Sequence, residues 1–217
     1  YDLAIAGGVD RSMDPPTYTK FSKIGALSPD HSVPFDARAN GFVMGEGAGI
    51  LVLKRLSDAH RDGDKVYAVV TSFGASSDGR GKGMTAPNPR GQRLALERAY
   101  SVSGIPIESV GLFEAHGTST VVGDSTELNV LTELLKNSGA PAKSIPIGSV
   151  KSMIGHLKSA AGAAALIKTA LALHHKTLPP SAGFKEAPKN SPLEEGYLKV
   201  STVAKPWESK GPRRAGV

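Results

Sequence analysis

The 217-residue sequence predicts a layered α/β fold. Short apolar runs of strand length alternate with stretches of helical spacing, which is the pattern of strands returning through helices. Gly- and Pro-rich joints separate them, marking turns between elements. The run Ile50-Leu51-Val52-Leu53 is apolar throughout, a buried-strand signal.

In order, residues 1–9 (YDLAIAGGV) read as a short strand. A Pro- and Ser-rich connection follows around residues 21–36. Residues 41–56 read as two strand segments joined near Gly45–Gly49, with Ile50, Leu51, Val52 and Leu53 as a buried strand. Residues 57–63 form a short helix closed by Gly63, and residues 65–74 (KVYAVVTSFG) a strong strand. The Gly-rich stretch SSDGRGKGMTAPNP is a loop. A helix over 90–100, a strand over 110–115 and a helix over 124–135 come next, the last with Leu128, Leu131 and Leu135 on one face. Residues 145–150 form another strand, and helix resumes from 156 or 157 to 174. A loop over 179–192 leads to a strand over 197–203.

Composition excludes several classes. Zero cysteines rule out disulfides, thiolate metal sites and a cysteine nucleophile within these residues. No apolar run reaches the ~20 residues of a membrane span; the longest, 160–173, is Ala-rich, broken by Lys168, and reads as a buried helix. The start has no signal-peptide pattern, so a cytoplasmic location is expected. The net charge of +6 allows an acidic partner such as a phosphate-bearing carrier, or no partner at all. Sparse aromatics, not interleaved with basic residues, argue against nucleic acid.

Two histidine motifs hold the candidate chemistry, EAHGTSTVVGD around His116 and VKSMIGHLKSAAG around His156. Gly117 permits a sharp turn after the preceding strand, and Thr118 and Thr120 place two hydroxyls beside the imidazole, able to hold a carbonyl or amide. A packed histidine satisfied within a tight turn fits the same residues. Asp124 and Glu127 have capping-box spacing, which accounts for Glu127 without chemistry. Lys151 stands at a strand end. His156 opens the next helix, whose dipole disfavours its protonated form; a neutral imidazole there can donate to a carbonyl or enolate oxygen. His174 and His175 diverge by about 100° on a helix and read as a surface helix end. GFVMGEGAG lacks the phosphate-loop pattern and reads as close backbone packing. Metal ligation by His116, Asp124 and His156 is a minor alternative.

With these motifs in hand, the chain resembles the later part of a β-ketoacyl synthase (ketosynthase) of the thiolase superfamily. LAIAGGVD, PFDARANGFVMGEGAGILVLKRLSDA, SSDGRGKGMTAPNP, EAHGTSTVVGDSTEL and GSVKSMIGHLKSAAGAAALIKTALAL carry the resemblance in the family's order. The TAPNP loop is most similar to type I polyketide synthase ketosynthases. HGTST in place of HGTGT, GDSTE in place of GDPIE, and Met153 where asparagine is common depart from that pattern without touching either histidine.

The resemblance implies a thiolase-like layered αβαβα fold, incomplete here: residues 1–64 would end the first half and 65–217 supply most of the second. It implies decarboxylative Claisen condensation of acyl and malonyl thioesters. His116 and His156 match the pair that binds the malonyl carbonyl and stabilises the enolate, Lys151 and Glu127 the accompanying lysine and carboxylate, Thr118 and Thr120 the contacts to the phosphopantetheine arm. It further implies an acyl carrier protein partner, a homodimer, no directly bound cofactor or metal, and a nucleophilic cysteine upstream of these residues. A non-condensing relative, either a chain-length-factor-like scaffold or a malonyl decarboxylase with glutamine at the nucleophile position, is the alternative; both histidines and Lys151 argue against a scaffold.

Overall fold

A computed structural model describes residues 2–80, 83, 86–139 and 141–217. Strand β1 (Leu3–Asp10) opens it. Helix α1 (Pro15–Lys23) follows, so the first residues of the expected connection, Phe21 to Lys23, are helical. Its signal is Asp14-Pro15-Pro16: the Asp14 carboxylate accepts the Thr17 N–H at 2.8 Å, and proline suits the first helical position.

Strand β2 (Gly47–Lys54) pairs antiparallel with β1, Leu3 opposite Lys54 and Asp10 opposite Gly47. Residues 42–44 do not form a second segment; Phe42 bridges Leu27, and Met44 bridges His156. The expectation that 50–53 are buried fails, because Ile50 and Val52 are 61% and 65% exposed. Alternation puts Gly49 against Ala163 and Ile167 of a later helix, which turns Ile50 and Val52 to the opposite, uncovered face with Leu3, Ile5 and Val9.

Helix α2 (Leu56–Arg61) matches expectation and stops before Gly63, whose φ is +71°. Residues 65–74 correct the sequence reading: they belong to no strand. The segment runs side-on along helix α3 (Pro89–Ser103), with Ser72 Oγ donating to Ala99 O at 2.7 Å and Arg98 donating to Ala75 O at 2.5 Å. A β-branched run becomes a strand only beside another strand, and among the described residues none lies there; Val69, Val70 and Phe73 are exposed. In the loop before α3, residues 81, 82, 84 and 85 lie outside the described residues.

The remainder builds the main core. Strand β3 (Leu112–Glu114), helix α4 (Val121–Asn137) and strand β4 (Ile145–Gly148) lead to helices α5 (Lys151–Ile154) and α6 (Ala161–His174). Strands β5 (Thr177–Leu178), β6 (Leu198–Val200), β7 (Lys205–Pro206) and β8 (Ala215–Gly216) complete the chain. β6, β4, β3 and β8 form a parallel sheet in that order, with Phe113 beside Ile147 and Ile147 beside Val200. β5 and β7 pair separately. Phe113, Ile147, Leu198, Leu128, Leu131 and Leu135 close the core between the sheet and α4, confirming the expected leucine face. The parallel strands thereby deliver two consecutive chain ends, after β3 and after β4, to one edge.

Candidate functional site

Those two ends carry the histidine motifs. After β3 the chain turns at Gly117, with φ +41°. The turn is held by carboxylates, in a way that corrects the capping-box reading. Helix α4 begins at Val121 with Thr120 at its cap, so Asp124 lies one turn inside and caps nothing. Its carboxylate accepts the Ser119 N–H at 3.1 Å and the Phe35 N–H at 2.7 Å. Glu127 accepts the His116 N–H at 2.7 Å and the Gly117 N–H at 2.9 Å. The D-x-x-E pair thus fixes the turn that presents His116. Thr118 and Thr120 are half-buried, their hydroxyls 3.0 Å apart.

After β4, Ser149 Oγ donates to the His116 carbonyl at 3.2 Å and locks the two strand ends together. Lys151 opens α5 and is 2% exposed. Desolvation lowers its pKa, opposed by the charges of Glu127, Glu114 and Asp124. Gly155 then takes φ +71°, and a Cβ there would meet Val43 O at 2.8 Å. This brings His156 against the first part of the chain: its N–H donates to Val43 O at 2.8 Å, and its carbonyl accepts from Gly45 N–H at 3.0 Å. Gly45 has to be glycine because a Cβ would stand 2.3 Å from Ile154 O, so close packing is indeed what GFVMGEGAG serves.

His156 therefore does not open a helix. A 3-10 turn (Lys158–Ala160) intervenes before α6, and the expected helix-dipole effect gives way to burial. Desolvation first, then the positive charge of Lys151, pushes the His156 pKa down to about 3. The same two causes push His116 down to about 4. His116 itself is exposed to solvent, which offsets part of that downward shift. The rings meet edge to face, centroids 5.5 Å apart. His156 Nδ1 accepts the Lys158 N–H at 3.0 Å, which places the proton of the neutral ring on Nε2.

Two pairs escaped the sequence reading. Asp10, at the end of β1, accepts from Ser159 N–H at 3.2 Å and from Ser159 Oγ at 3.0 Å, and pairs with Lys158 at 3.2 Å. Glu114, the last residue of β3, accepts the Val150 N–H at 2.5 Å and pairs with Lys168 of α6 at 2.6 Å. Both acids close strands, but their partners lie far along the chain, so spacing carries no trace of them.

The metal alternative finds no assembly. Asp124 is committed to two backbone N–H groups, and among the described residues no three acidic or histidine side chains cluster to hold an ion. His174 and His175 lie at the far end of α6, their rings 5.1 Å apart.

Comparison with known proteins accords with this geometry. Residues 1–59 match the family "beta-ketoacyl synthase, N-terminal domain", and residues 67–185 match "beta-ketoacyl synthase, C-terminal domain". A phenolphthiocerol/phthiocerol polyketide synthase of Mycobacterium tuberculosis is 44% identical over 99% of this chain, which spans 12% of that relative. Polyketide synthase PksL of Bacillus subtilis is 43% identical over 100% of this chain, which spans 5% of it. Among solved structures, the ketosynthase from module 6 of the bacillaene synthase of Bacillus subtilis superposes with a TM-score of 0.95 at 42% identity, covering 99% of this chain and 39% of that one. The oxazolomycin ketosynthase domain of Streptomyces albus gives 0.90 at 38%, covering 97% and 37%. The expected thiolase-like layered fold is borne out by these likenesses.

Proposed function

Because the chain belongs to the β-ketoacyl synthase family and groups with the ketosynthases of polyketide synthases, we propose that it supplies the malonyl-activating side of a decarboxylative Claisen condensation. The observation that carries this reading is the His116–His156 pair: two imidazoles, edge to face at 5.5 Å, with desolvation and the Lys151 charge disfavouring the protonated forms while His116 stays open to solvent. With Nδ1 of His156 engaged by Lys158, its Nε2–H is the donor offered to a thioester oxygen.

Loss of CO2 breaks the bond between the malonyl α-carbon and its carboxylate, and the electron pair moves into an enolate. Preorganised donors facing that oxygen are worth most in a site that excludes water. His116 and His156 are those donors. Lys151 adds positive charge beside them, and Glu127 holds the His116 turn. The enolate carbon then attacks an acyl-cysteine thioester, forming a carbon–carbon bond and expelling the thiolate. These residues contain no cysteine, so the nucleophile comes from elsewhere in the protein. Thr118 and Thr120 face the phosphopantetheine arm of an acyl carrier protein, the carrier this chemistry requires; no other cofactor is involved. The working form is a cytoplasmic homodimer, with residues 1–64 closing one thiolase-like half and 65–217 building the other.

The test is release of CO2 from malonyl carrier protein by the full-length protein. His116→Ala and His156→Ala are each expected to lower the rate by about 10²- to 10³-fold. Unchanged decarboxylation in both variants would overturn the assignment.

A further inference from the structure

One buried ion pair is left unused by this mechanism. Glu114 ends β3 two residues before His116, and its side chain is 1% exposed. Its two oxygens are divided: Oε1 takes the Val150 N–H at 2.5 Å, and Oε2 takes Lys168 Nζ at 2.6 Å. Val150 immediately precedes Lys151. Lys168 reaches Glu114 from α6, its side chain 13% exposed. A surface pair at such distances contributes little, but this one is enclosed, and a half-satisfied buried pair is costly. Glu114 thus joins the end of β3, the end of β4 and the middle of α6 at a single carboxylate.

That carboxylate is the part of the framework that sets where Lys151 begins. The peptide between Ser149 and Lys151 is held by Ser149 Oγ on the His116 carbonyl and by Glu114 on the Val150 N–H. Without the second contact, that peptide is held only from its carbonyl side, where Ser149 O accepts from Ser152 N–H at 3.1 Å and from Ser152 Oγ at 2.9 Å, and its N–H is left buried without a partner, so the start of α5 shifts and Lys151 shifts with it. Lys168 favours the ionised form of Glu114: burial raises the Glu114 pKa, and the Lys168 charge is the main opposing influence. The charged groups facing Lys151 are Glu127 and Asp124 from α4, Glu114 from β3 and Lys168 from α6; His116 and His156 feel its charge in turn.

We propose that Glu114 and Lys168 form a positioning pair for decarboxylation, in which Lys168 holds Glu114 as a carboxylate and Glu114 pins the Val150 N–H so that Lys151 is presented beside the two histidines. The inference rests on the proposed reading of the His116–His156 site.

The experiment uses the full-length protein with Glu114→Gln, Lys168→Met and the double variant, each measured in two ways. Hydrogen exchange over residues 149–155 reports the peptide directly, whatever the reaction is. Lys168→Met should accelerate exchange there and lower kcat for malonyl decarboxylation about tenfold or more while leaving KM within about twofold. The lost kcat should return as pH rises and Glu114 ionises without its partner. Glu114→Gln keeps one acceptor oxygen but sets its NH2 against either the Val150 N–H or the Lys168 ammonium, so it should accelerate exchange as well. The double variant removes both charges, so it folds even where a single variant leaves one charge buried and unpaired; its coupling should be clearly non-additive. Unchanged exchange in Lys168→Met overturns the pinning. Faster exchange with unchanged kcat, a change confined to KM, or a pH-independent loss overturns the positioning role. His116→Ala, run alongside, separates these outcomes from failure of the functional reading itself, which would leave decarboxylation intact in that variant.

Discussion

His156 combines three restraints on one ring. Phe42 packs edge-on at 4.8 Å, Lys158 occupies Nδ1, and Lys151 repels a second proton. Neutrality in the folded state has a cost in acid. An unfolded histidine takes up a proton near pH 6.5, whereas folded His156 does so only near 3. The unfolded chain therefore binds more protons between those values, and stability falls as pH drops through that window. His116 acts in the same direction. Asp124 acts in the opposite one: burial raises its pKa from 3.8 to about 7, so the folded state holds the extra proton and stability falls as pH rises across that interval. Burial raises Glu114 and Glu127 as well, so these acids act with Asp124 and against the histidines, and each group is read from the change its removal makes. Between pH 6.5 and 4, the loss of urea unfolding midpoint on acidification should be smaller in His156→Phe than in the unsubstituted protein and larger in Asp124→Asn. Equal slopes in all three proteins would refute the assignment of these protons.

At the scale of elements, the site is a set of turns gripped by carboxylates and glycines. Glu127→Ala releases the His116 and Gly117 N–H groups together; it should destabilise the fold by about 2–4 kcal/mol and abolish decarboxylation, measured by denaturant unfolding and by CO2 release. Gly45→Ala sets a methyl group against Ile154 O; the loop has to retreat, at about 1–3 kcal/mol, and His156 retreats with it. Elements whose stability is local were legible in the sequence. The helical stretch over 90–100 announces α3, which the structure extends to Pro89–Ser103, and the Leu128, Leu131 and Leu135 face announces α4. Elements defined by a distant partner were not. Residues 65–74 have the composition of a strand but no strand beside them, and residues 50–53 have the composition of a buried run but only one covered face. His156 belongs to the same class: adjacency to Ala-rich residues suggests a helix start, while Val43 and Gly45 draw it into a bridge. Within the site, His116, His156 and Lys151 stood out through their motifs, whereas Glu114 and Asp10 take their meaning from partners 54 and 149 residues away.

For the molecule as a whole, the same one-sided covering has a physical result. Leu3, Ile5, Val9, Ile50 and Val52 are each at least half exposed on one face of the β1–β2 ribbon. Contiguous apolar area of that kind promotes association. The isolated 217-residue chain should bind a hydrophobic dye and self-associate in light scattering, and Ile5→Lys with Val52→Lys should reduce both. Dye binding unchanged by the two lysines would place the sticky surface elsewhere. No described helix is long and apolar enough to cross a membrane.

The Lys158–Gly45 contact, closing 113 residues of chain at 2.8 Å, has a consequence in time. Helices α3, α4 and α6 form from neighbouring residues, but the loop holding His156 against Met44 closes only after most of the chain has been ordered, since loop-closure entropy opposes distant pairing until other contacts repay it. During refolding, helical signal should recover first and the two imidazoles should meet last. A chain with its helices already formed would thus still lack the paired imidazoles, and decarboxylation should return during refolding only as the Lys158–Gly45 contact closes.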